Sequence, residues 1–78
     1  MIDTYASRVA RHGQEIWGEH WLGPMADLTG IAHRTCKRIR RAAEAGEEFP
    51  AARGVLAALE EALEARLVEI RADQAPMP

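Results

Sequence analysis

Six side chains within one short stretch carry the most concentrated chemistry in this 78-residue chain: His33, Arg34, Lys37, Arg38, Arg40 and Arg41. Five of them are formal cations, and no acid stands between Leu28 and Ala43. Guanidinium and ammonium groups in such a row bind anions, arginine through a planar bidentate fork and lysine as a point charge. Wound at 100° per residue, the six fall within about 160° of arc. Thr35, Cys36, Ile39, Ala42 and Ala43 occupy roughly 120° on the other side. One face of this helix suits a core and the other a polyanion. A merely solvated face mixes both signs, so contact with nucleic acid is the expectation.

The remaining reactive atoms do not assemble into a second chemistry. His33-x-x-Cys36, with His20 or His12, falls short of the four paired ligands that structural zinc takes. Cys36 lies on the apolar side of the helix, where an inert core thiol is the default, while His33 lies on the polar arc. A nucleophilic cysteine needs exposure and an orienting base. There is no glycine-rich phosphate loop and no carboxylate pair in an apolar setting. The sequence therefore points to no enzyme, metal or cofactor, and shows no small-molecule ligand site.

The elements that must hold the basic helix are legible on either side of it. Ala26 and Gly30 stand four apart with Ile31 next, the spacing of a helix-turn-helix. A small residue fits where the two helices cross, and Gly30 supplies the positive φ that the turn requires. Met25, Leu28 and Ile31 are expected to pack against Cys36 and Ile39. A first helix over about residues 4–17 starts at Asp3 or Thr4 as cap and carries a stripe of Ile2, Tyr5, Ala6, Val9, Gly13, Ile16 and Trp17. Gly13 inside that stripe marks a break or a close approach, and Gly18 ends the segment. Trp17 and Trp21 both read as core. Pro24 suits a first helical turn, which gives a short second helix at 24–29. The basic helix spans 32–45, with Gly46 as its stop. Phe49-Pro50 opens a fourth helix at 50–71, Phe49 acting as a core plug. The expected fold is all-α: a compact four-helix domain over residues 1–71, followed by a flexible tail at 72–78.

These residues resemble a known family. Leu28-Thr29-Gly30-Ile31-Ala32-His33-Arg34-Thr35-Cys36-Lys37-Arg38-Ile39 is similar to the core of lambda-repressor-like (Cro/C1-type) DNA-binding domains, in particular small phage and bacterial regulators that read L-A-x-x-x-G-V-S-x-R-T-V-x-R-W. Met25, Ala26, Gly30, Ile31, Arg34, Thr35, Arg38 and Ile39 fill that pattern. Trp17-Gly18-Glu19-His20-Trp21 resembles an aromatic-Gly-x-x-Trp run leading into it, so the likeness covers about residues 16 to 67. Ala32 stands where Ser or Asn usually caps the recognition helix, and Cys36 and Ile39 replace the commoner Val and Trp. The resemblance implies a transcriptional regulator that binds double-stranded DNA, with this helix in the major groove. His33, Arg34, Lys37 and Arg38 would then face base edges, and Arg40 and Arg41 phosphates.

The net charge of −2 conceals strong polarity. Residues 1–27 balance to −2, residues 28–43 to +5, and residues 44–78 to −5. No apolar run approaches a membrane span, and no cationic-then-apolar signal pattern opens the chain, so a cytoplasmic location is expected. The single cysteine suits a reducing compartment. A chain of this length buries only about 60% of its unfolded surface. Helix 50–71 nevertheless carries a stripe of Val55, Leu56, Leu59, Leu63, Leu67 and Ile70, longer than so small a body can cover. Leu63, Leu67 and Ile70 are therefore expected to form a homodimer interface, placing two recognition helices on a palindromic operator. Two other readings compete. A helical adaptor would turn the basic face to an acidic protein partner. An excisionase-like winged domain would use Thr29-Gly30-Ile31 and Ala45-Gly46-Glu47-Glu48-Phe49-Pro50, but it requires a β-hairpin where residues 51–70 show a helical pattern.

Overall fold

Thr4 has extended backbone geometry, and its Oγ1 accepts the Ser7 N–H at 3.0 Å, so helix α1 (Tyr5–Trp17) starts at an N-cap threonine. The amides of Tyr5 and Ala6, which have no partner within the helix, donate to the carboxylate of Glu48 at 3.0 to 3.4 Å. A residue from the far connection thus completes the cap. Its negative charge also lies where the helix dipole favours an anion. Gly18 ends α1 at φ 78°, and a single 3₁₀ turn (Gly18–His20) follows.

The computed structural model describes residues 3–74. Within it the chain is all-helical, with α1 followed by α2 (Leu22–Thr29), α3 (His33–Ala45) and α4 (Ala52–Gln74), and no strand occurs among the described residues. The place expected for Ile2 in the α1 stripe, and positions 75–78 of the expected tail, lie outside the described residues.

Helices α1 and α3 each begin one residue later than expected, at Tyr5 and His33, and three boundaries differ by two residues or more. Helix α2 begins at Leu22 rather than 24, and Pro24 sits in its first turn, where the missing N–H removes no helical bond. Helix α4 begins at Ala52 because Pro50 and Ala51 form a turn, in which the Ala52 N–H donates to the Phe49 carbonyl at 2.8 Å. At its far end α4 continues to Gln74, so residues 72–74, expected as tail, are helical. Ala72, Asp73 and Gln74 bring no Gly or Pro to stop the helix before Pro76.

The core is built from every helix: Ala6, Val9 and Ala10 of α1, Leu22 and Met25 of α2, Cys36, Ile39 and Ala42 of α3, and Ala52, Val55 and Leu59 of α4, together with Trp21. Tyr5, Trp17 and Phe49 pack against it half-buried. Ile16, expected in the core, is 44% exposed. It lies about 60° around the helix from Gly13 and so falls at the rim of the stripe. Trp21 is only 1% exposed, and its indole rests on Gly13. A Cβ at Gly13 would stand 2.5 Å from Cε3 and 2.6 Å from Cδ2 of that ring. Gly13 therefore marks a close approach by an indole, and α1 runs unbroken through it.

Helix α4 covers the core only with its first half. Leu63 is half-buried against the body, whereas Leu67, Val68 and Ile70 are 46%, 64% and 49% exposed. A molecule 53 Å long and 24 × 22 Å across results, with the outer turns of α4 as its projecting end.

Gly13→Ala sets two effects against each other. Helix propensity favours Ala by about 1 kcal/mol, but the added methyl collides with a ring that has no room to retreat, costing roughly 1–3 kcal/mol. The expected outcome is a lower melting temperature by calorimetry; an unchanged or raised one contradicts the packing.

Candidate nucleic-acid interface

The turn that presents α3 is held by local bonds. Thr29 Oγ1 donates to the Met25 carbonyl at 2.7 Å and accepts the Ile31 N–H at 3.3 Å. Gly30 stands at φ 73°, ψ 9°, and its N–H donates to the Ala26 carbonyl at 2.9 Å. That conformation is costly for any residue with a Cβ, so glycine at this position is a backbone requirement. Only Gly30, Ile31 and Ala32 separate α2 from α3. Ala26, Leu28 and Ile31 pack half-buried on the cluster that contains Met25, Cys36 and Ile39, which brings the expected motif core together.

Helix α3 closes with two bonds at its C-terminus. Glu47 N–H donates to the Ala42 carbonyl at 2.9 Å and Gly46 N–H to the Ala43 carbonyl at 3.2 Å, with Gly46 at φ 69°. This is the Schellman arrangement. The N-terminus is less secured: Ala32 occupies the cap position with no side-chain acceptor.

All six basic-face residues are exposed, and none takes part in an ion pair among the described residues. They do not form one undivided surface. Arg34, Lys37, Arg38 and Arg41 surround one shallow depression walled by their aliphatic stems. His33 and Arg40 line a different groove, shared with Glu19 and His20 of the 3₁₀ turn and with Leu22, Gly23 and Pro24 at the start of α2. Arg40 also borders α1, near Arg11 and Gln14. The wheel contains this split: Arg40 and His33 lie about 20° apart, whereas Arg34 and Arg38 are about 100–140° from His33. Sequence reasoning placed His33 with Arg34, and Arg40 with Arg41; the grooves regroup both pairs. It gave no site role to Glu19 or His20, because neither shares a helix with the basic row.

Cys36 is fully buried, and desolvation pushes its thiol pKa up, so it stays protonated at neutral pH. His33, one turn earlier and about 60° around the helix, is exposed. Among the described residues no three His, Cys, Asp or Glu side chains converge on a common point, and no helix is long and apolar enough to cross a membrane. Compared with protein-family models, curated proteins and solved structures, the chain finds no match in any of the three.

The uncapped α3 N-terminus leads to a stability prediction. Ala32→Ser supplies an oxygen to a first-turn amide and should stabilise by about 1 kcal/mol. For a domain of this size that is a rise of roughly 4–8 °C in a thermal melt. No rise would mean that the amides at this end are already satisfied.

Proposed function

We propose that the protein is a sequence-specific, double-stranded-DNA-binding transcriptional regulator of the lambda-repressor-like kind, acting in the cytoplasm as a homodimer. The observation that carries this reading is the form of α3. It is the second helix of a tight helix-turn-helix, and its outer face is a row of cations without a single neutralising carboxylate pair among the described residues. Such a face costs self-repulsion, which a polyanion offsets.

Arg34, Lys37 and Arg38 occupy the first two turns of α3, the part of a recognition helix that reaches base edges. Arg41 continues the same row one turn on and suits a phosphate. Arg40 and His33 face the groove beside α2, where a second strand of backbone would pass. The −5 balance of residues 44–78 repels phosphate and orients the molecule with α3 towards DNA. One recognition helix reads only a few base pairs, so specificity against a genome calls for two copies on a palindrome with half-sites about 34–36 Å apart. The exposed Leu67 and Ile70 offer the surface for pairing. Leu63 contributes less than its place in the stripe suggested, because half of it already belongs to its own core.

A basic face also suits an adaptor for an acidic protein, and titration with duplex DNA separates the two. A regulator loses affinity steeply as salt rises, while an adaptor ignores DNA. The winged alternative has no hairpin after Pro50 among the described residues.

Selection from random duplexes should return a palindrome. Arg34→Ala or Arg38→Ala should then cost roughly 1–3 kcal/mol of discrimination at particular positions. Arg41→Ala should weaken all sequences alike and flatten the salt slope by about one per bound chain. Equal losses on specific and random DNA for all three variants would refute this division of roles. Leu67→Lys with Ile70→Lys changes only exposed positions. It should leave a folded monomer that prefers a palindrome no more than a half-site, measured by sedimentation and by binding.

A further inference from the structure

A groove of about 560 Å³ opens where the overhang of α4 leaves the body. Ile16 and Trp17 of α1, Pro24 and Leu28 of α2, and Leu63 of α4 form its apolar lining, and Asp27 and Arg66 complete it with one charge of each sign. The groove and the bare tip of α4 are adjacent, yet one chain cannot use its own tip to fill it, since a continuous helix carries that tip away from the body. We propose that the outer half of α4 docks antiparallel on the same segment of a second copy, so that Ile70 of each copy enters the groove beside Leu63 of the other. This rests on the α4-paired dimer and adds its direction and its socket.

The placement follows from helix geometry. Leu63, Leu67 and Ile70 lie within about 60° of arc on α4. Glu64 and Arg71 flank this stripe on one margin and Arg66 on the other, while Glu69 lies about 100° beyond its edge. In an antiparallel pair related by a two-fold axis, each margin meets the same margin of the other copy, and residues equally far from the crossing point face each other. With the crossing at Leu67, Leu63 comes opposite Ile70 to within one residue. The same register sets Glu64 against Arg71 to within one residue. That margin is therefore complementary in charge, and the pair occurs twice. Neither residue has an ion-pair partner among the described residues of its own chain. A parallel pair would set both bodies at the same level. Each body is far wider than the roughly 10 Å of a lone helix, and the grooves would then lie away from the other copy's tips.

The test combines mass with direction. The full chain should sediment as a dimer at concentrations on the order of 10–100 µM, typical of a small interface. Leu67→Cys should link to itself under mild oxidation, which reports pairing through α4 in either direction. Equal amounts of Leu63→Cys and Ile70→Cys should give the mixed disulfide in excess over either self-linked product, because only facing residues bring their Cα atoms within about 7 Å. Cys36, being buried, stays in place. Since Leu63 is partly core, a second measurement leaves it untouched. A spin label on Ile70→Cys in one copy should broaden the methyl signals of Ile16 and Leu28 in an isotope-labelled wild-type partner. Arg71→Glu should weaken self-association about 5-fold or more, and adding Glu64→Arg should restore it.

Self-linked Leu63→Cys and Ile70→Cys products with unbroadened methyls would overturn the antiparallel docking and leave a parallel dimer. A dimer with no link at Leu67→Cys would mean that the copies meet elsewhere or that another partner covers α4, and it overturns the docking too. A monomer at every concentration would overturn the α4-paired dimer itself. DNA binding by α3, read independently from its salt slope, would stand or fall separately.

Discussion

The seating of α2 on α1 depends on an indole lying on bare backbone. Trp21 lies against Gly13 at a distance that admits no Cβ, and this contact fixes how the start of α2 crosses the middle of α1. The constraint is steric and therefore sharp. Two helices meeting through flexible side chains can slide, whereas a planar ring against a glycine has one seating. From that seating the short α2 leads into Gly30, and Gly30 into α3. The direction of the basic face is thus set by a contact well removed from any of its charges. Helix α1 then packs against both α3 and α4, which themselves have little direct contact, so a shift at Gly13 would propagate to each.

A second set of constraints keeps the small core closed. In a domain with this little apolar interior, an unpaired helix end costs as much as a lost core contact. The amides at the α1 N-terminus are taken up by Thr4 and Glu48, and the last carbonyls of α3 by Gly46 and Glu47. Glu47 and Glu48 are neighbours, one contributing its backbone N–H to α3 and the other its carboxylate to α1. The connection before α4 therefore ties the third helix to the first. Arg53, one residue into α4, lies 5.9 Å from the centre of the Tyr5 ring and adds a cation–π contact at the same junction.

The sequence disclosed what depends on local rules. Gly30 and Gly46 are punctuation that any helix turn requires, and both take positive φ. The two faces of α3 separate cleanly because its apolar residues recur at helical spacing, and Cys36, Ile39 and Ala42 are buried. The Glu48 cap was not legible, since its partners lie more than 40 residues away and no spacing rule links them. Gly13 was legible as an anomaly but not as a seat for Trp21, since the chain turns between them and no spacing rule links the two. At the candidate interface, the sequence located the basic row, while its division between two grooves needed the neighbours of α3. Helix boundaries moved where proline was read as a start signal, because its preference covers the whole first turn rather than one position.

The distribution of charge and apolar surface gives the fold its logic. Helix α3 concentrates positive charge on one side of a body whose other long helix is acidic and half uncovered. A chain this short cannot bury the full length of a 23-residue helix, so extending α4 past Leu63 costs exposed apolar area. It also costs side-chain entropy whenever that surface is ordered. Such an extension is unfavourable for an isolated folded domain and becomes favourable when the surface meets a matching one. The separation of the two features follows the same physics. Pairing through α3 would oppose two cationic faces, whereas pairing through α4 leaves both basic rows open to solvent. Because the α4 overhang carries both signs, it can meet its own copy without net repulsion, which the uniformly basic face of α3 cannot do.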